Sequence, residues 1–149
     1  MIARMDARAG SVPVAVNLEL SHGLHGAAAR LELHERGSER IAVLALCGWM
    51  DRVALARLHV ALDRLAEHGS SRLLIDCSQL RHIDYRLVPQ LVDALARFES
   101  RSGGFVMCGL SRYLRDLFRL AGCEPRLRCW PSASELLDAA FEPDCGRAS

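Results

Sequence analysis

The sequence predicts a single α/β domain with a mixed β-sheet of four to five strands and about four helices. Short apolar runs alternate along the chain with amphipathic stretches of helical length, which is typical of strands joined by helical crossovers. The 149 residues suit one domain. Half of them are hydrophobic and a quarter are charged, which is an ordinary globular composition.

Three regions are expected along the chain. Residues 1–29 form an N-terminal extension that is either disordered or adds an edge strand, because alternate residues from Val12 to Leu20 are apolar. Residues 30–142 form the folded domain, and residues 143–149 form a polar tail.

The domain is expected to open with a hairpin. Leu31 and Leu33 alternate with polar residues, as in a half-exposed strand, and a polar turn over residues 35–39 follows. The continuous apolar run Ile41–Cys47 then predicts a central strand that is buried on both faces and ends at Gly48.

A helix is predicted after this strand. Asp51 is placed to cap its N-terminus, which accounts for this carboxylate better than an acid–base pair with Asp84 does. Gly69 is placed to stop the helix at its C-terminus. The apolar stripe of the helix consists of leucines three or four residues apart: Leu55, Leu58, Leu62 and Leu65.

The rest of the domain alternates in the same way. Leu73–Ile75 predicts a buried strand that ends at Asp76, with a loop around Ser78 to Leu80. Pro89 fits only in the first turn of a helix, so the second helix is expected to start near Arg86 or later. A strand over Phe105–Cys108 and a third helix from Ser111 to Gly122 are predicted next. The last predicted elements are a short strand over residues 127–130 and a final helix with Leu136, Leu137, Ala140 and Phe141.

Four local patterns carry a resemblance to a known family. They are Gly48-Trp49-Met50-Asp51, Asp76-Cys77-Ser78, His82-Ile83-Asp84, and Gly104 to Ser111 followed by a helix that ends at Gly122. In this order, over about Ala29 to Phe141, the chain resembles the STAS family, the fold of bacterial anti-sigma factor antagonists. The resemblance implies a non-catalytic regulatory protein that binds a protein partner. That partner would be an anti-sigma factor or kinase-like protein, or another signalling protein.

The resemblance also implies where such a partner binds. In the family's antagonists a Ser follows the Asp of the third pattern, and its phosphorylation by the partner kinase breaks the complex. Here Tyr85 follows Asp84, so we expect no serine phosphorylation switch. The implied partner surface consists of Asp84, Tyr85 and Arg86, with Trp49 and Asp51 beside them. Tyr, Trp and Arg are common energetic anchors of interfaces. We favour a Tyr85 that faces a partner, because the resemblance places it in a surface loop; the alternative is a packed tyrosine that fills space beside the sheet.

No catalytic or metal-binding motif is found in the sequence. His59 and His82 have no nucleophile or second metal ligand at a suitable spacing, so a structural role is expected for both. Cys47 and Cys108 lie in apolar runs, so we expect both to be buried and unreactive. We therefore expect no cofactor, no metal site and no enzymatic activity.

Charge and hydropathy limit the classes of partner. The formal net charge is +1, so nothing favours binding to nucleic acid or to an anionic membrane surface. No window reaches about 18 consecutive apolar residues, so no membrane span is expected. The six cysteines show neither metal-binding nor close-paired spacing, and we expect a reduced, cytoplasmic protein.

Two other functions stay open. Some small STAS proteins bind a transporter ATPase, so a subunit of a lipid-transport complex is one alternative, although the lack of a Ser or Thr near the switch position weakens it. A small-ligand sensor or an enzyme on the same scaffold is the other, and a deep polar pocket beside His82 and Tyr85 would favour it. The sequence leaves the identity of the partner and the oligomeric state open.

Overall fold

A computed structural model describes residues 14–23, 25–123 and 129–130. Its strands are β1 (Val14–Glu19), β2 (Ala28–Arg36), β3 (Glu39–Met50), β4 (Arg72–Ile83), β5 (Phe105–Cys108) and β6 (Cys129–Trp130). Its helices are α1 (Arg52–Glu67), α2 (Val88–Arg101) and α3 (Arg112–Leu120), and a 3₁₀ turn over Tyr85–Leu87 precedes α2.

The strands form one mixed sheet in the order β1-β2-β3-β4-β5-β6. The first three are antiparallel neighbours, and β3 to β6 are parallel neighbours. The predicted α/β class is therefore confirmed. The described sheet has six strands, one more than the largest number expected, because β1 adds an edge strand from the segment before residue 30. Three α-helices are described, and the predicted final helix with Leu136 and Leu137 lies outside the described residues.

The central strand is β3, as its apolar run predicts. Ile41 to Leu44 are at most 8% exposed, and Leu46 is fully buried. Ala42, Leu44 and Leu46 face the main core, to which α1, α2 and α3 contribute their apolar residues. On the opposite face of the sheet, Ile41 and Val43 form a second apolar cluster with Leu74 and Val106. Burial on both faces explains why this strand has a continuous apolar run instead of an alternating pattern.

β3 and β4 are longer than the sequence predicts, at 12 residues each. The expected end of β3 at Gly48 is wrong, and so is the expected loop around Ser78 to Leu80. Two register shifts, between Ala45 and Cys47 and between Gly48 and Trp49, interrupt the pairing without ending it. At such a bulge one residue is left unpaired, and the two strands remain paired before and after it.

Cys47 is exposed, where the sequence predicted burial. It alternates with the buried Leu46 and therefore lies on the opposite face of the sheet, beyond the apolar cluster that contains Ile41 and Val43. Cys108 is fully buried, as predicted.

α1 and α3 begin where their capping residues predict. Asp51 Oδ1 accepts a hydrogen bond from the Ala54 amide at 2.8 Å, and Ser111 Oγ accepts one from the Leu114 amide at 3.1 Å. α2 starts at Val88 with Pro89 in its first turn, which confirms the displaced start. No helix in the described part of the chain is long and apolar enough to cross a membrane.

Gly48 allows the segment between β1 and β2 to lie directly against β3. It has a φ of 87°, a region that favours glycine. A Cβ at this position would overlap the carbonyl oxygen of Gly26. The neighbouring Trp49 amide donates a hydrogen bond to the His25 carbonyl at 3.1 Å. This close contact between two backbones fixes the position of His25 beside the end of β3.

We expect Gly48→Ala to destabilise the protein more than Gly37→Ala does. Both glycines have positive φ, which costs a residue with a Cβ roughly 1–2 kcal/mol. At Gly37 no atom lies within 4 Å of an added Cβ, whereas at Gly48 the backbone of Gly26 must also move. Overpacking of this kind adds about 1–3 kcal/mol. Urea denaturation of both variants measures the difference, and equal losses would show that the close contact does not constrain the fold.

Candidate functional site

The candidate site lies where β3 and β4 end. The two strands are parallel, and their last residues, Met50 and Ile83, are register partners. Asp51 and Asp84 follow them directly, so the two carboxylates occupy equivalent positions at one edge of the sheet. Trp49 and His82 are register partners one residue earlier. The tertiary structure thus brings together residues that are 33 positions apart in the sequence.

Asp84 is held by Arg86 in a small closed arrangement. Asp84 Oδ1 accepts hydrogen bonds from the Arg86 amide at 2.9 Å and from Arg86 Nε at 3.2 Å, while Oδ2 accepts one from Nη2 at 2.8 Å. The hydrogen bonds from the guanidinium and the amide lower the pKa of Asp84 to about 2. The carboxylate therefore caps the 3₁₀ turn and shapes this loop at the same time.

Four rings form a row across this edge of the sheet, which we call the aromatic row: His25, Trp49, His82 and Tyr113. The His25 and Trp49 rings stack with centroids 4.2 Å apart and planes 16° apart. Trp49 and His82 are tilted to each other at 5.0 Å, and His82 and Tyr113 stack at 5.8 Å. A hydrogen bond of 2.6 Å joins the Tyr113 hydroxyl to His82 Nδ1. The row links the segment before β2, the ends of β3 and β4, and α3.

Much of this aromatic surface is exposed. Trp49 is 43% exposed, Tyr113 is 49% exposed and Tyr85 is 53% exposed. The 3₁₀ turn that carries Tyr85 contacts α3, the helix that carries Tyr113. Large rings that stay half in water at the end of a sheet leave apolar area unburied in this chain. Such area is available to a partner.

The five residues named from the sequence all lie at this edge. Trp49 and Asp51 come from the end of β3, and Asp84, Tyr85 and Arg86 come from the end of β4 and the 3₁₀ turn. The exposure of Tyr85 argues against the packed alternative.

Two members of the aromatic row were not found from the sequence. Tyr113 lies two residues after the capping residue Ser111, and this position could have suggested an exposed first turn. Nothing in the sequence around His25 indicates its stacking on Trp49.

The side chains at this edge of the sheet suit the binding of a partner better than they suit catalysis. The carboxylates of Asp51 and Asp84 are both engaged as caps, and His82 is bonded to Tyr113. Among the described residues, no group of three His, Cys, Asp or Glu side chains could hold a metal ion. A groove of about 710 Å³ is present, but it lies between α1 and strands β1 and β2, away from His82 and Tyr85.

A mixed sheet with one antiparallel edge and helices after its parallel strands is the fold of a STAS domain. The family described as "Mlab, STAS domain" matches residues 33–128, which is more than half of the chain. The chain belongs to the STAS family. No curated protein matches its sequence.

Solved structures of anti-sigma factor antagonists share the fold. The chain is 18% identical to the antagonist SpoIIAA in its unphosphorylated form, with a TM-score of 0.59, covering 74% of this chain and 95% of that one. It is also 18% identical to an anti-sigma factor antagonist from Mycobacterium paratuberculosis, with a TM-score of 0.61, covering 83% and 100%. The murine anion transporter Slc26a9 contains a similar domain, at 14% identity and a TM-score of 0.55, covering 68% of this chain and 18% of the transporter.

Replacing the guanidinium should release the Asp84 carboxylate. We expect Arg86→Met to raise the pKa of Asp84 from about 2 towards its ordinary value of 3.8, because the largest cause of the lowered pKa is lost. Since the pKa is lowered in the folded protein, this arrangement stabilises the fold above pH 3.8, and the effect is lost as the pH falls towards 2. NMR titration of the carboxyl carbon measures the shift.

Arg81→Met serves as the matched control, because Arg81 is exposed on β4 and is not among the groups that shift Asp84. It should leave the Asp84 titration unchanged. An unchanged titration in Arg86→Met itself would contradict the assignment.

Proposed function

We propose that this chain is a non-catalytic STAS regulatory protein that binds a protein partner in bacterial signalling, as an anti-sigma factor antagonist does. Its partner surface comprises Trp49, Asp51, Asp84, Tyr85 and Arg86. The observation that carries the proposal is the half-exposed aromatic surface at the end of β3 and β4, next to a charged Asp84–Arg86 pair. The resemblance to anti-sigma factor antagonists supports the choice of partner class.

The residue types suit an interface. An aromatic ring buries a large area on binding and loses little conformational entropy, and the planar Arg86 guanidinium can pair with a partner's carboxylate. Stacking on His25 and a tilted contact with His82 restrict the Trp49 ring before a partner arrives. A side chain that is already ordered loses less entropy on binding, so the aromatic row lowers one cost of association.

The proposal includes the loss of the serine switch. A phosphoserine adds nearly two negative charges at the start of a helix and so changes a docking surface. Tyr85 occupies this position and is exposed. Its hydroxyl lies beyond the ring, much further from the backbone than a serine hydroxyl, and a serine-directed active site does not accommodate it. Partner binding is then controlled by the concentration of the partner, or by a signal that acts on a residue other than Tyr85.

Binding to a transporter is the second candidate. Some small STAS proteins bind a transporter ATPase, and a similar domain occurs inside the anion transporter Slc26a9. Both candidates use the domain as a protein-binding module. Capture of the partner from the native cell separates them, because one predicts an anti-sigma factor or kinase-like protein and the other predicts a transport ATPase.

Truncating the proposed anchors should weaken binding without unfolding the domain. We expect Tyr85→Ala and Arg86→Glu each to cost more than about 2 kcal/mol of binding to the captured partner, or roughly thirtyfold in affinity. Both side chains are exposed, so stability should change by only about 0.5 kcal/mol. Calorimetry measures the affinity and thermal melting checks the fold.

Arg72→Glu is the matched control, since Arg72 is an exposed arginine at the opposite end of β4. It should leave the affinity unchanged. Wild-type affinity in both site variants would place the interface elsewhere, and unfolding of Tyr85→Ala would favour the packed alternative.

The second expectation concerns phosphorylation. Incubation with a serine kinase of the anti-sigma type should add no phosphate at Tyr85, because the acceptor serine is missing. Mass spectrometry must map any modified residue, since Ser78 and Ser111 are both exposed. The Tyr85→Ser variant provides the positive comparison. Stoichiometric phosphate on Tyr85 in the wild-type protein would overturn the loss of the switch.

A further inference from the structure

The outer part of the sheet has an apolar face that α1 does not cover. Cross-strand rows run over β1, β2 and β3 on the α1 side, and one of them joins Val16, Leu31 and Leu44. Exposure rises steadily along this row: Leu44 is fully buried, Leu31 is half-buried and Val16 is 44% exposed. The helix therefore covers β3 but leaves β1 and β2 open on their apolar side.

This open face and the side of α1 form the groove of about 710 Å³. Leu18, Leu31 and Leu33 form its floor, and Val60 lies on its helical wall. Neighbouring strands are about 4.8 Å apart, so the surface formed by β1 and β2 is about 10 Å wide. This width matches the diameter of one α-helix. The six residues of β1 extend over about 20 Å, the length of roughly 13 helical residues. The groove thus has the dimensions of one more helix beside α1.

Three arginines and two glutamates, Glu19 and Glu35, line the groove, and this balance favours an acidic occupant. Arg40 is already engaged, because it pairs with Glu35 at 3.8 Å and donates to the His68 carbonyl at 3.0 Å. Arg57 and Arg64 are exposed on α1 and line the groove, and within the described residues neither forms an ion pair. They are seven positions apart, which places them about 10 Å apart along one face of the helix.

We propose that this groove binds an acidic amphipathic helix of a partner protein. Its apolar face would cover Leu18, Leu31 and Leu33, and two acidic residues about two turns apart would pair with Arg57 and Arg64. This is recognition of a helix in a groove, with apolar anchors for affinity and charges for orientation. The N-terminal residues 1–13 of this chain are a poorer occupant, because they carry Arg4 and Arg8 against Asp6 alone.

This second docking surface is separate from the edge that carries Tyr85, and it does not depend on the function proposed there. Tyr85 does not line the groove. A protein with both surfaces can hold two partners at once, or one partner through two contacts.

A designed peptide tests the proposal on the full chain. The probe is a fluorescent 18-residue helix with leucines at i, i+3, i+4 and i+7 and two glutamates seven residues apart. Its twin has lysines in place of the glutamates. We expect the acidic peptide to bind at least tenfold more tightly than the twin by fluorescence anisotropy. The Arg57→Glu and Arg64→Glu double variant should reverse this preference.

Three controls make the result specific. Arg81→Glu changes an exposed arginine outside the groove and should leave the preference intact. Val60→Asp places a charge on the exposed helical wall of the groove and should weaken both peptides. Tyr85→Ala should bind the acidic peptide as the wild type does, which separates this proposal from the one above. Circular dichroism confirms that each variant is folded.

Two outcomes would overturn the proposal. One is equal binding of the two peptides, or no binding of either to the folded wild-type protein. The other is a wild-type dimer in sedimentation that the Arg57 and Arg64 double variant converts to monomer, because a second copy of this chain would then occupy the groove.

Discussion

The parallel pairing of β3 with β4 is the constraint on which the rest of the structure depends. It joins the antiparallel half of the sheet to the parallel half, and the apolar run of β3 is buried on both faces of that sheet. Because parallel strands end at the same edge, it also places Met50 beside Ile83. Everything at the candidate site follows from this one alignment: two capping carboxylates side by side, two helix starts, and a tryptophan next to a histidine.

Burial along one face of β3 separates the core from the site. Ile41 and Val43 are buried on this face, whereas Cys47 and Trp49, which follow on the same face, are exposed. Gly48 lies between these two exposed residues, and its missing Cβ lets the backbone around Gly26 pass close by and hold His25 against the indole. A local irregularity in the strand therefore supplies both the shape and the rigidity of the aromatic row.

The domain presents two unsatisfied surfaces of different character. At the end of β3 and β4 the surface is aromatic and is flanked by a neutralised ion pair, Asp84 with Arg86. Over β1 and β2 it is aliphatic and is flanked by Arg57 and Arg64, which form no ion pair with the described residues. These differences suit different partners, since aromatic anchors favour pockets and a long apolar groove favours a helix.

Apolar periodicity, caps and turn residues predicted the fold class, the central strand and the three described helix starts. These features depend on neighbours in the sequence, and side-chain patterns record them directly. The edge of the sheet that carries Asp51, Asp84 and Tyr85 was predicted by the family resemblance. The lengths of β3 and β4, the exposure of Cys47, and the contacts of His25 and Tyr113 were decided by tertiary structure alone. A bulge depends on how two strands align, and stacking joins rings on separate elements. Neither leaves a periodic signal in the chain, because the interacting residues meet only after folding.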